Sequence, residues 1–235
     1  MTRSNSQLFI LVFLGILTAF GPFVTDMYLP TLPAMTDYFH TTSSQVRLGL
    51  TASMIGLAVG QLFFGPLSDK YGRRLPLIVA MCLFLLATLG CLYSRTIIQF
   101  VGWRVVQGIA GAGGIVISRS IAADKYSGRE LAKMLAIIGA INGVAPVAAP
   151  VAGGGMAESV GWHGIFWVLF GLGILLLLGS LHFAESLYKK LPGIPFSPHR
   201  PFHGMLIQGF HFRKQLSHFS HEVGGPLALA VRRKT

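Results

Sequence analysis

Six apolar runs, at residues 8–29, 48–67, 75–93, 97–118, 134–156 and 164–181, occupy most of the first 185 residues. A bilayer's hydrocarbon core is about 30 Å thick, and an α-helix needs about 20 residues to cross it. The runs have that length and none alternates strictly, so they are expected to be helices rather than strands. Four of the six carry no Asp, Glu, Lys or Arg; the first contains Asp26 and the fourth Arg104. The expected fold class is an all-α integral membrane protein, a six-helix bundle.

Composition agrees. The chain is 52% hydrophobic and only 11% charged, with a mean hydropathy of +0.62. Soluble domains carry about 25% charged residues, so these side chains cannot coat a water-facing surface. The net charge of +11 would point to nucleic acid in a soluble protein. Here the cations sit between apolar runs, where they set topology, and no nucleic-acid partner is expected. Lys70, Arg73 and Arg74 separate runs two and three; Lys125, Arg129 and Lys133 separate runs four and five; Lys189 and Lys190 follow run six. The opposite linkers hold Arg47 and Arg95 at their edges. The bias predicts an inside N-terminus, with run six returning inside. The leading positive region is Arg3 alone, and no small-residue cleavage site precedes Asp26, so a cleavable signal is not expected.

Beyond Lys190 the pattern stops. Residues 191–235 hold five of the eight histidines, with Arg200, Arg213, Lys214, Arg232, Arg233 and Lys234, and no apolar run there can span a bilayer. The expected organisation is a membrane bundle over 1–188 and a basic, His-rich tail over 189–235. That tail reads either as a frameshifted or aberrant end to a longer protein, or as a genuine cytoplasmic tail held at the membrane surface by its cations. His199 and His203 have i, i+4 spacing, but Pro198 and Pro201 work against a helix there, and no metal site is expected. Cys82 and Cys91 share one run; nine residues of helix place them on roughly opposite faces, which suits packing rather than a disulfide.

Ionisable groups inside a span are costly and usually functional. At about 1.5 Å per residue, Asp26 and Arg104 fall in the same outer half of the bilayer, within about two turns of each other. One reading makes them an acid and a base lining a cavity that binds protons or substrate. In the other, Asp26 marks the interfacial end of span one, before Pro30. Gln107, three residues after Arg104, shares its helix face. Between spans two and three, Gly65-Pro-Leu-Ser-Asp-Lys-Tyr-Gly-Arg-Arg74 reads as a tight turn. Gly72 can take a left-handed conformation, and Asp69 and Arg73 are placed to pair. Span five carries Pro146 and Pro150 on one face, with Gly139, Gly143, Gly153 and Gly154. That density of breakers fits a helix shaped to bend or to seal a pathway. Gly111-Ala-Gly-Gly114 lies within a span, not between a strand and a helix, so it reads as packing rather than a phosphate loop. No Ser/His/Asp or Cys/His arrangement argues for catalysis, and neither enzymatic activity nor a cofactor is expected.

Together these segments resemble the major facilitator superfamily. Residues 65–74 are similar to its loop signature G-x-L-x-D-x-x-G-R-R, and Arg104-Val-Val-Gln-Gly108 to its R-x-x-Q-G signature in span four. Ala149-Pro-Val-Ala-Gly-Gly154 is similar to the antiporter motif G-P-x-x-G-G, with Ala149 in place of its first glycine. Thr25-Asp-Met-Tyr-Leu-Pro30 resembles the first span of the bicyclomycin/chloramphenicol-type drug exporters. The resemblance covers about residues 8–185 and corresponds to the N-terminal half of that fold.

The resemblance implies two six-helix bundles rocking about a central cavity. It implies efflux of hydrophobic drugs driven by proton entry, across a bacterial inner membrane, with both termini cytoplasmic. It gives Arg104 a part in proton coupling and places Asp26 in the cavity wall. Asp69 and Arg73 would form a cytoplasmic latch, with Asp124 as a third member. Spans seven to twelve of the family pattern are not found in the 235 residues, so a truncated exporter is expected. The alternatives are a non-transporting membrane remnant, or a half-transporter that self-associates to complete the cavity.

Overall fold

The computed structural model describes the backbone of residues 3–190 and the side chains of residues 11–181. The expected tail over 191–235, with its histidines, lies outside the described residues. Every regular element among the described residues is helical: α1 (Arg3–Asp26), a 3-10 turn (Leu29–Thr31), α2 (Leu32–Tyr38), α3 (Ser43–Tyr71), α4 (Arg74–Leu92), α5 (Ile97–Lys125) and α6 (Gly128–Lys190).

Local chemistry explains the boundaries. α3 and α5 open at Thr42 and Thr96, whose side-chain oxygens accept from the backbone N–H groups of Gln45 and Gln99. Both are Thr-x-x-Gln starts, the pattern of a capping box. α1 gives way at Asp26 to a turn containing Pro30, and Pro33 stands in the first turn of α2. α3 ends at Gly72, which has φ 78 and ψ 171, a region open essentially to glycine. Cys82 is exposed and Cys91 buried, as opposite helix faces require.

Among the described residues, five helical stretches, not six, are long and apolar enough to cross a membrane. The runs expected as spans five and six fall within the single 63-residue α6. Its non-helical residue is Gly161, with φ 63 and ψ −171. The neighbours of α6 reverse order across that point. Before it, Ile141 meets Gly15 and Gly153 sits against the carbonyl of Met27, so α6 travels in the direction of α1. After it, Gly173 meets Phe84 and Leu85, and Gly179 meets Phe13, back near the start of α1. The helices also outrun their apolar stretches: α5 continues seven residues past Ser118, and α3 opens five residues before Leu48.

α3 and α5 touch almost backbone to backbone. A methyl group on Gly108 would lie 2.1 Å from the carbonyl oxygen of Ser53, and one on Gly56 2.2 Å from that of Val105. Without a hydrophobic effect between helices in lipid, such small-residue contacts supply the packing. Thr18 of α1 and Ser118 of α5 share a hydrogen bond of 2.7 Å. Between these helices and α4 lies an apolar core that includes Leu17, Phe20, Phe84 and Ile117.

Candidate functional site

Arg104 is 0% exposed. A bare charge at the centre of a helix in a bilayer costs about 2.5–3.5 kcal/mol on insertion scales, and three oxygens offset that cost here. Its Nη1 donates to the carbonyl of Val24 at 3.0 Å and to Oε1 of Gln107 at 2.6 Å; its Nε donates to the carbonyl of Gly49 at 3.4 Å. Val24 belongs to the last turn of α1, where carbonyls lack helical partners and carry the negative end of the helix dipole. The guanidinium also lies 4.5 Å from the ring centroid of Tyr28 and 6.0 Å from that of Phe166, within reach of cation–π attraction. Gln107 relays the network, donating from Nε2 to Oγ1 of Thr88 at 2.8 Å, and Thr88 donates to the carbonyl of Phe84. One arginine thus ties α1, α3, α5 and, through Gln107, α4. Its Nη2 and the hydroxyl of Tyr28 are both buried and have no hydrogen-bond partner.

Asp26 does not meet this arginine. It is half-buried and lines an open cleft of about 220 Å³ with Gly21, Pro22, Thr25, Met54, Leu57, Gln61, Ile115, Arg119 and Asn142. Arg104 holds the end of α1 by the Val24 carbonyl, while Asp26 lies outside its hydrogen bonds but within electrostatic reach of it. The expectation of an acid and a base lining one cavity is corrected on this point: the acid lines the cleft, and Arg104 is sealed behind it. The cation in the cleft is Arg119, exposed on α5. Sequence reading passed over Arg119 because the apolar run was closed at Ser118, although the helix continues to Lys125. Gln61 and Asn142, unlike Gln107, have no charged residue within their own runs to point to them. The cleft is smaller than the roughly 300–1,000 Å³ of most small-molecule sites.

At the other end of the bundle, Arg73 is the centre of a charge cluster. Nε and Nη2 donate to the two carboxylate oxygens of Asp124 at 2.8 and 3.3 Å, a bidentate pair. Nη1 donates to Asp69 and, at 2.7 Å, to Oγ of Ser68. Burial works to lower the pKa of Arg73, but its bonds to Asp124 and Asp69 outweigh that and raise it. Asp69 and Asp124 are brought together only through Arg73. Arg74 is exposed at the start of α4, and the carbonyl of Gly65 accepts from Ser68 at 3.0 Å.

The proline-glycine segment of α6 packs on the end of α1. Ala145, Ala149 and Gly153 are buried at four-residue spacing. A methyl group on Gly153 would fall 1.8 Å from the carbonyl oxygen of Met27, and one on Gly154 3.9 Å from Pro30. Pro146 and Pro150 lie within continuous helix. Gly153, the first of the motif's paired glycines, thus lets α6 contact the segment that carries Asp26.

The family model of the Major Facilitator Superfamily matches residues 11–223, a range that runs past Lys190 into the segment with the altered pattern. An uncharacterized MFS-type transporter of Bacillus subtilis is 42% identical over 184 residues, covering 76% of this chain and 46% of the relative. A bicyclomycin resistance protein homolog of Haemophilus influenzae is 31% identical over 83% of this chain and 49% of its own length. A chloramphenicol resistance protein of Pseudomonas aeruginosa is 34% identical over 73% of this chain and 42% of its own. The chain thus spans about half the length of the curated relatives it matches. Among solved structures, a proton:xylose symporter superposes with a TM-score of 0.68 at 15% identity, over 77% of this chain and 45% of that one. That likeness concerns the fold alone. With the family model covering most of its length, the chain belongs to the Major Facilitator Superfamily.

Proposed function

We propose that this chain forms the N-terminal bundle of a proton-coupled exporter of small hydrophobic drugs in a bacterial inner membrane. The observation that carries the reading is Asp26, a carboxylate on the wall of an open cleft within a membrane bundle. Such a group can exchange a proton for a substrate. The relatives named for bicyclomycin and chloramphenicol resistance support drugs as the cargo. Arg104 and Gln107 hold the helix end that presents Asp26 and keep it in register with α3 and α5. The contact of Gly153 with Met27 closes the outer end of the same helix, which fits an antiporter seal formed with Pro146, Pro150 and Gly154.

α6 makes two crossings in this reading. At about 1.5 Å per residue, 63 residues of helix would be about 95 Å long, three times the hydrocarbon core. The reversal of its neighbours across Gly161 supports six spans, with Arg73, Asp69 and Asp124 at the cytoplasmic end as a latch and both termini inside. Residues 1–188 are the bundle and 189–235 a cytoplasmic tail. Alternating access requires two bundles about a shared site. Export then depends on a second bundle, supplied by further sequence or by a second copy of the chain. Without one, the chain is a membrane remnant that does not transport.

The test is drug resistance in an efflux-deficient bacterial host. The 235-residue chain alone should give no resistance to chloramphenicol or bicyclomycin at verified membrane abundance. The same chain fused to the second half of the Bacillus subtilis relative should give resistance, and Arg104→Ala should abolish it. Resistance from the chain alone would make it a functional half-transporter; no resistance from the fusion would count against export.

A further inference from the structure

The geometry points to a cleft with two opposed charged poles, Asp26 on α1 and Arg119 on α5, that selects elongated amphoteric molecules. These carry an ammonium at one end, a carboxylate or phosphate at the other, and an apolar body between. The inference rests on the reading of this cleft as a substrate site and adds, beside uncharged drugs, a second class of molecule that it takes.

Both charges line the same cleft, yet among the described residues neither lies within ion-pair distance of an opposite charge. This contrasts with Arg73, whose guanidinium is saturated by two carboxylates. The two poles sit at different depths. Ser118, beside Arg119, is hydrogen-bonded to Thr18. Asp26 is eight residues further along α1, about 12 Å at helical rise. The lining also includes the apolar Met54, Leu57 and Ile115 and the polar Thr25 and Gln61. Asn142, from α6, also lines the cleft, and its buried Oδ1 has no hydrogen-bond partner.

A molecule with one charge satisfies one pole and leaves the other facing an apolar body. An amphoteric molecule of matching length satisfies both, and its own charges are held apart by the distance between the poles. Arg119 is suited to the anionic end because its planar fork binds carboxylate or phosphate in two places. Asp26 takes the ammonium, and protonation of Asp26 would release that end first while Arg119 kept its hold.

The probes are tritiated 8-aminooctanoate, its amide (ammonium only) and its N-acetyl derivative (carboxylate only), tested by scintillation proximity on the full chain in lipid nanodiscs. 8-Aminooctanoate should bind at least about tenfold more tightly than either single-charge probe, the size of one lost charge-assisted hydrogen bond. Arg119→Gln should weaken the two carboxylate-bearing probes about tenfold and leave the amide unchanged, with Arg119→Lys retaining most of the affinity. Asp26→Asn should weaken the two ammonium-bearing probes and spare the N-acetyl derivative. Arg119 is exposed, so its variants should keep the wild-type elution profile and helicity. If the amide binds as tightly as 8-aminooctanoate and Arg119→Gln changes nothing, the two-pole inference is overturned while the cleft remains a ligand site. If none of the three binds, the inference and the substrate-site reading fall together.

Discussion

Arg104 on α5 donates a 3.0 Å hydrogen bond to the carbonyl of Val24 in the last turn of α1. The carboxylate of Asp26, two residues further on, lines the cleft. The buried cation holds the helix end, and the helix end presents the acid. Replacing Arg104 with Ala should therefore act at a distance from Asp26. Each hydrogen bond to a charged group is worth about 1.5–3 kcal/mol, so Arg104→Ala should lower the detergent Tm by several degrees. Arg104→Lys should fall between, since one ammonium cannot reproduce the fork that reaches Val24, Gly49 and Gln107. Thermal unfolding of the purified variants in detergent checks the order.

The α3–α5 seam makes a sharper packing prediction. Gly108 and Gly111 are one turn apart on α5, and alanine has the higher helix propensity by about 1 kcal/mol. A methyl group at Gly108 would meet the Ser53 carbonyl at 2.1 Å, whereas nothing lies within 4 Å of one at Gly111. Gly108→Ala should destabilise by about 1–3 kcal/mol through overpacking, and Gly111→Ala should be neutral or stabilising. Equal effects at the two sites would contradict the close approach of these helices.

Asp124→Asn separates function from stability. The pair with Arg73 is more than half exposed on the carboxylate side, and exposed pairs contribute about 0–1 kcal/mol. The Tm should hardly move, while resistance conferred by a fusion with a second bundle should fall sharply if the cluster is a latch.

Topology can be checked independently. Reporter fusions after Thr42 and after Lys190 should read outside and inside. An outside signal after Lys190 would mean that α6 crosses once and that Gly161 is a bend rather than a reversal.

Much of the bundle was legible from hydropathy, because lipid-facing and core-facing side chains are both apolar and a span reads as an unbroken run. The same property hid the rest. Helices continue past the hydrocarbon through polar residues, so the run ending at Ser118 missed Arg119, which shares the cleft with Asp26. The seven-residue α2, with Pro30 before it and Pro33 in its first turn, is too short and mixed to show periodicity. The break at Gly161 left no gap in helical pattern, so two expected spans appear as one element. Asp69 and Arg73 could be paired from their four-residue spacing, but Asp124 is 51 residues from Arg73 and came only from the family resemblance. The depths of Asp26 and Arg104 were readable from residue counts; that Asp26 lines the cleft while Arg104 is buried depends on helix rotation, which hydropathy does not fix.

We propose that drug leaves in exchange for a proton through the cleft that Asp26 lines. The direct measurement is the pH gradient across everted membrane vesicles containing the chain fused to the second half of the Bacillus subtilis relative, before and after chloramphenicol is added. The account predicts that the drug partly collapses the gradient in the fusion. It predicts no collapse in the Asp26→Asn fusion, or in vesicles holding the 235-residue chain alone. A gradient that collapses equally in the Asp26→Asn fusion would contradict it.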